Sequence, residues 1–180
     1  MILQELYRLA QRKQLLEDTA FVERPVHFIL RIDGEGEFRA LESMLDARGK
    51  AQKMLVPVAP GRTVASAPAF LVDNAQYTLR LAKNGKEQNA LERAKDFDAL
   101  VAEAAEATQD PGLRALQRFL EKRDAFRDAI LRAAPATPGK KGAADTPWGW
   151  NADEVIAFGL AGEVERIDER DAVAAWWRAR

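Results

Sequence analysis

The stretch Val26-His27-Phe28-Ile29-Leu30-Arg31-Ile32-Asp33, followed by Gly34-Glu35-Gly36 and then Glu37 to Leu45 (EFRALESML), decides the fold class. VHFILRID is rich in β-branched and aromatic residues and partly alternates, which is a strand pattern. Gly34-Glu35-Gly36 supplies a turn in which glycine takes φ > 0 at low cost. Glu37 to Leu45 then reads as the return strand of a hairpin, although ALESMLDA fits a helix equally well. Lys53 to Val58 (KMLVPV) is a further strand, with Pro57 marking an edge or a strand end.

Helical signals surround these strands. Residues 2–17 place Ile2, Leu3, Leu6, Leu9, Ala10 and Leu16 at helical spacing, with charges between them. Pro25 ends the connection to the first strand. After the loop that begins at Pro60-Gly61, a short helix is predicted from Pro68 to about Leu81, with Ser66 as N-cap and Pro68 in the first turn. Asn84-Gly85 breaks it. Residues 87–107 and 111–132 read as two longer helices, an αα-hairpin divided at Gln109-Asp110-Pro111-Gly112. Residues 133–147 (AAPATPGKKGAADTP) form a Pro/Gly/Ala-rich flexible loop. Two more strands, Glu154–Leu160 and Glu163–Asp168, are joined at Ala161-Gly162, and a last helix runs from Arg170 to Arg180. This order points to a single α+β domain over 1–180, with antiparallel β-hairpins packed with several helices, rather than to a doubly wound parallel sheet.

Composition removes several kinds of chemistry. The 180 residues contain no Cys, one His and two Ser. Disulfides, thiolate catalysis and Cys-based zinc sites are excluded, and a Ser-His triad or a multi-His metal site lacks its parts. No cofactor is implied. The charged N-terminus lacks the unbroken apolar core of a signal peptide, and no apolar run approaches the roughly 20 residues needed to span a bilayer. The expected setting is a reducing cytoplasm, without a membrane partner.

The net charge of -1, from 27 Lys+Arg and 28 Asp+Glu, conceals an uneven distribution. Residues 48–86 hold Arg48, Lys50, Lys53, Arg62, Arg80, Lys83 and Lys86 against a single acid, Asp73, a local charge of +6 against -7 for the remainder. Such a block can contact phosphates, or can be a solvated surface paired with acidic helices elsewhere.

Within that block, Gly61 to Leu79 (GRTVASAPAFLVDNAQYTL) resembles the Arg-Thr-Ser…Pro-x-Phe-Leu-x-Asp-Asn-x-x-Tyr run of the large subunit of the subtype I-C CRISPR Cascade complex. The opening Met1-Ile2-Leu3-Gln4, VHFILRIDGEGEF, KMLVPVAPGRT, DPGLRALQRFLE and EVIAFGLAGEVERIDERDAVAAWW are similar to that family as well, in the same order. One run departs, reading Arg62-Thr63-Val64-Ala65-Ser66. Family members are several times longer, so the chain resembles only their N-terminal domain, either as part of a larger prokaryotic protein or as a reduced form.

The resemblance implies a non-enzymatic role. Guide RNA reads the target by pairing, while the large subunit reads the protospacer-adjacent motif (PAM) in double-stranded target DNA, assists its opening and later helps recruit a helicase-nuclease. Asn74 is the first candidate for base reading, because a carboxamide both donates and accepts. On the predicted helix it would lie inside, where Asn is mildly unfavourable; a buried Asn satisfying a loop is the competing reading. Gln76 is a second amide. Arg62 and Thr63 suit a phosphate clamp, with Ser66 beside them in the same loop. Lys50, Lys53, Lys83 and Lys86 suit the backbone footprint, or simply solubility.

Other residues carry weaker signals. His27 reads as a structural histidine. Trp148 and Trp150 stack on a base, insert into a partner or, the favoured reading, pack onto the domain, and of Trp176 and Trp177 one is expected in the core and one at the surface. Two further functions compete. One is an assembly module that docks to other Cascade subunits or guide RNA. The other is a small hydrolase using Asp33, Glu35 or Glu37, for which no nucleophile is present.

Overall fold

The computed structural model of the protein describes residues 18–61, 67–134 and 150–180. The helix expected over 2–17, the loop expected at 133–147 beyond Ala134, and Trp148 lie outside the described residues. In chain order the elements are β1 (Phe21–Val26), β2 (Phe28–Ile32), β3 (Phe38–Ser43), β4 (Gln52–Pro57), β5 (Asp73–Asn74), α1 (Ala75–Thr78), α2 (Glu87–Thr108), α3 (Pro111–Ala133), β6 (Val155–Leu160), a 3-10 turn (Ile167–Glu169) and α4 (Asp171–Arg178). The architecture is α+β, as the order of sequence signals implied.

Strand β2 organises it. All five residues are buried, and the four apolar ones alternate between two hydrophobic clusters, as a period of two requires. Phe28, Leu30 and Ile32 enter the larger cluster, with Phe97 and Val101 of α2 and Leu113, Leu116, Phe119 and Leu120 of α3. Ile29 enters a smaller one with Val26, Val56, Val72 and Ala157. Strand β2 pairs antiparallel with β3 and parallel with β6, and β5 completes a four-stranded sheet in the order β3-β2-β6-β5. A parallel pair needs a long crossover. Here the αα-hairpin lies within it. Asp110 caps α3 by accepting from Gly112 N at 2.8 Å and Leu113 N at 3.1 Å, and Pro111 begins the helix.

A second, two-stranded sheet pairs β1 with β4. His27 joins the two sheets. Its N–H donates to Val155 O at 2.9 Å, its carbonyl accepts from Met44 N at 2.8 Å, and its Nδ1 accepts from Val155 N at 3.0 Å. The histidine is structural in this role. Opposite it, the chain between β3 and β4 leaves the ribbon as a hairpin closed by the Leu45–Ala51 bridge.

Three local expectations are corrected. Pro25 does not precede the first strand; it lies within β1, opposite Lys53. Strand β1 pairs only with β4, so the missing N–H is tolerated. The helix predicted from Pro68 to Leu81 shrinks to the four residues of α1. Ala69, Phe70, Leu71 and Val72 are all buried, so the run is no amphipathic face. Leu71 has φ +60°, and an i→i+2 bond from Val72 N to Phe70 O closes a tight turn around it. Finally, Glu163–Asp168 is not the return strand of a hairpin. Only a Gly159–Arg166 bridge remains of it. The backbone coils into the 3-10 turn because Arg166 N donates to Glu169 Oε2 at 2.7 Å and its guanidinium grips Asp168 through two bonds of 3.0 Å.

That Arg166 also donates to Leu55 O at 2.7 Å, tying β4 to the C-terminal segment. Both charges of the Arg166–Asp168 pair are buried; burial pushes the Asp168 carboxyl upward against the pull of its partner. At the other end of the ribbon, Asp33 closes the β2–β3 turn. Its Oδ1 accepts from Glu35 N and Glu37 N, both at 2.9 Å, and its Oδ2 from Arg39. Glu37 pairs with Lys122 of α3, and Glu35 lies 3.7 Å from Arg118. Of the three acids weighed as a hydrolytic cluster, Asp33 thus closes the turn itself, and Glu35 and Glu37 tie the hairpin to α3.

The same turn yields two predictions. A Cβ on Gly36 (φ +76°) would fall 2.6 Å from Phe119 N and 2.8 Å from Ala115 O. Both are rigid helix backbone, so Gly36→Ala should cost about 2–4 kcal/mol, read as a shift in the denaturant midpoint. The Glu37 N–H chiefly holds the Asp33 carboxyl below its ordinary 3.8, with Arg39 and the Glu35 N–H assisting. A carboxyl depressed in the folded state adds stability above its unfolded pKa, and that stability is lost as pH falls through the folded value. Asp33→Asn should lower Tm at neutral pH and reduce the fall in Tm between about pH 5 and about pH 2.

Candidate nucleic-acid interface

Asn74 lies on the edge strand β5, not inside a helix. It is the N-cap of α1, with extended backbone (φ −72°, ψ 167°), and its Oδ1 accepts from Gln76 N at 3.1 Å. Asn is favoured at an N-cap for this bond, which removes the unfavourable mid-helix placement expected from sequence. Thr78 Oγ1 returns a bond to Asn74 O at 3.1 Å. Only the oxygen of the carboxamide is engaged among the described residues. Its Nδ2 has no partner among the described residues.

The residue before it explains the turn. Asp73 is fully buried, and its carboxylate accepts from Ala69 N and from Asn74 N, both at 2.7 Å. A side chain that satisfies backbone donors in this way competes with the helix ladder. It also removes the block's single acid from the surface. Immediately upstream, Phe70 is stacked on Trp177 with centroids 4.9 Å apart and touches Trp176 at 5.2 Å. Both tryptophans are half-buried and pack on the larger cluster, so neither is the surface residue expected of the pair. Trp150 is buried against Phe28 and donates to Leu131 O at 3.0 Å, so the packing alternative holds for it.

Gln76 differs from Asn74. It is buried, its Nε2 donates to Asp153 Oδ1 at 3.0 Å, and its Oε1 accepts from Arg93. Both ends of its carboxamide serve the fold. Lys83 pairs with the same Asp153. Arg80, in a left-handed conformation (φ +56°), bridges Asp98 at 3.4 Å and Asp124 at 3.0 Å. Asp98 is shared with the buried Arg123, which also donates to Thr78 O at 3.1 Å. Burial pushes the Asp98 carboxyl upward despite these two cations. Lys83 and Arg80 therefore fit the paired reading of the basic block.

The other described cations do not. Arg48, Lys50, Lys53 and Lys86 are exposed and form no ion pair with a described residue. Three of them cluster along the chain at the hairpin that branches opposite His27. Its tip is preorganised: Asp46 Oδ1 accepts from Arg48 N and Lys50 N, both at 2.9 Å, and Gly49 takes φ +76°. Lys53 follows on β4, on the face shared with Leu55 and Glu23. Arg48 was part of the basic block in the sequence but was not singled out there; only the Asp46-centred turn shows that it shares a tip with Lys50. Arg62, Thr63 and Ser66 lie outside the described residues. The described helix start, at Asn74, excludes the N-cap role expected of Ser66.

The sheet brings the hairpin and the amide to one end. Across a single row, Met44 N bonds His27 O, His27 N bonds Val155 O, and Val155 is paired with Asn74. Three strand spacings put the base of the basic hairpin about 14 Å from Asn74. No group of three or more His, Cys, Asp or Glu suited to a metal occurs among the described residues, and no described helix is long and apolar enough to cross a membrane.

These residues define an α+β domain that presents, at the same end of a mixed sheet, a cationic hairpin and an amide donor with no partner among the described residues. Comparison with protein families matches residues 3–180 to the family described as CRISPR-associated protein (Cas_Csd1), and the chain belongs to that family. No match was found among curated proteins.

The cap separates two roles of Asn74. Asn74→Ala should cost about 1 kcal/mol in a urea titration, whereas Asn74→Ser, which keeps an oxygen acceptor, should cost a few tenths at most. The serine variant then isolates the loss of the amide donor in any binding measurement.

Proposed function

We propose that the chain is the DNA-recognising N-terminal part of the large subunit of a subtype I-C Cascade complex. In this reading it contacts the PAM in duplex DNA in the prokaryotic cytoplasm and assists opening of the duplex. Guide RNA and other Cascade subunits complete the complex, which then recruits a helicase-nuclease, and the domain itself carries out no catalytic step. The observation that carries the reading is the alignment of the Asn74 Nδ2 donor with the Arg48–Lys53 hairpin at one sheet end. A base-edge donor flanked by phosphate-seeking cations is the division of labour that duplex readers use. Membership in a CRISPR-associated family supports the DNA target.

A second reading is an assembly module that docks to other Cascade subunits or guide RNA. It is favoured by Val164, 95% exposed, and Leu55, 58% exposed. Arg166 links their segments through its bond to Leu55 O. Such exposed aliphatics suit a protein contact better than a polyanion.

Fluorescence-anisotropy titration of PAM-bearing against scrambled duplex decides between them. Asn74→Ser should reduce discrimination between the two duplexes by roughly five- to tenfold, the value of one good base contact. Lys50→Ala with Lys53→Ala should weaken both equally and flatten the salt dependence. Equal binding of both duplexes by wild type, with copurification of Cascade subunits intact, would leave the assembly reading standing instead.

A further inference from the structure

Away from the hairpin, the start of β1 and the end of β4 border a cleft of about 400 Å³. Strand β4 runs from the basic hairpin to this cleft, a span of about 20 Å. Ala20, Val58, Ala59 and Pro60 give it apolar walls, while Trp177, Arg178 and Arg180 of the C-terminal segment close the other side. Among the described residues, no acidic one lines it. The volume lies within the roughly 300–1,000 Å³ of small-molecule sites.

We propose that this cleft binds a single unstacked nucleobase of single-stranded DNA, together with its adjoining phosphate. Trp177 is held rigidly. Its Nε1 donates to Ala20 O at 3.0 Å, and Phe70 covers one face at an interplanar angle of 15°. A guest therefore meets a fixed indole through its opposite face or its edge, without ordering a mobile side chain. Stacking on such a ring tolerates any base, since every base has a π-face.

The arginines suit the phosphate. Arg178 uses Nε toward Asp18 at 2.8 Å and lies over the Phe21 ring, and Arg180 uses Nη1 toward Glu103 and lies over the Trp176 ring. Each ring contact fixes a guanidinium plane, and the remaining N–H groups of both are unspent among the described residues. The two ion pairs are surface pairs, worth little and open to sharing with a phosphate. The resulting combination of apolar walls, one rigid indole and two cations matches a nucleotide rather than an apolar peptide.

The inference extends the DNA-binding reading to a strand freed from the duplex, and it can fail separately. The probe is a (dT)8 oligonucleotide carrying one 5-iododeoxyuridine, titrated by anisotropy against the 180-residue chain and then photocrosslinked. A crosslink mapping to Trp177 is expected. Ala59→Phe, which fills the cleft from a partly exposed position, should raise Kd about tenfold and abolish that crosslink. Arg178→Ala with Arg180→Ala should raise Kd by a similar factor without displacing the crosslink. Crosslinking elsewhere, or single-strand binding unchanged in Ala59→Phe while its Tm matches wild type, overturns the cleft assignment. Loss of PAM discrimination with the Trp177 crosslink retained would overturn the duplex reading and leave the cleft in place.

Discussion

Strand β2 is buried on both faces and hydrogen-bonded on both edges. Its alternation divides the interior in two, sending Phe28, Leu30 and Ile32 toward the helices and Ile29 toward the β1–β4 ribbon. A one-residue slip would exchange these sets and place Arg31 in the main core. Arg31 opposes such a slip, because it lies over Gly159, where a Cβ would fall 2.1 Å from Nη1, and grips Glu42 through bonds of 2.9 and 3.2 Å. Register, core and the position of β6 are thus fixed by one five-residue strand.

The candidate interface inherits its geometry from that strand. The His27 hydrogen bonds carry the β2 register outward to Met44 on one side and to Val155 on the other. From Val155 it passes to Asn74, and from Met44 to the hairpin tip. Loops placed by a buried scaffold in this way can present side chains at fixed spacing, whereas a basic stretch on a free loop could not. The buried Asp73 performs the same task locally, by anchoring the turn that leads into Asn74.

Much of the scaffold was legible because it depends on period and punctuation. The GEG turn, the Asp110-Pro111 helix start and the long α2 and α3 follow local rules, and the structure places their ends within a residue or two of the pattern. The strand reading prevailed over the helical one for Phe38–Ser43, since an edge of β2 needed a partner. The misreadings share a cause, which is that side-chain partners decided the backbone. Asp73 turned Pro68–Leu81 away from helix, and Arg166 turned Glu163–Asp168 away from strand. Neither interaction has a periodic signature. The parallel pairing of β2 with β6 was invisible for another reason: the two strands lie more than a hundred residues apart, and no local pattern specifies such a contact.

Charge was the least legible property, and the structure explains why. A count over residues 48–86 treats every ion alike, yet the fold gives the described ions of this block three different fates. Asp73 is buried on backbone donors, Arg80 and Lys83 are neutralised by Asp98, Asp124 and Asp153 from outside the block, and Arg48, Lys50, Lys53 and Lys86 face solvent unpaired among the described residues. Burying the one acid leaves the exposed part of the block more uniformly positive than its sequence. Among the described residues, pairing two of the cations narrows that positive surface to the hairpin and the start of α2. Long-range attraction for a polyanion depends on the summed surface field, while placement depends on the few cations held at fixed spacing. The hairpin meets both conditions, because Asp46 spends its carboxylate on the Arg48 and Lys50 amides and so orders the two cations it partly offsets.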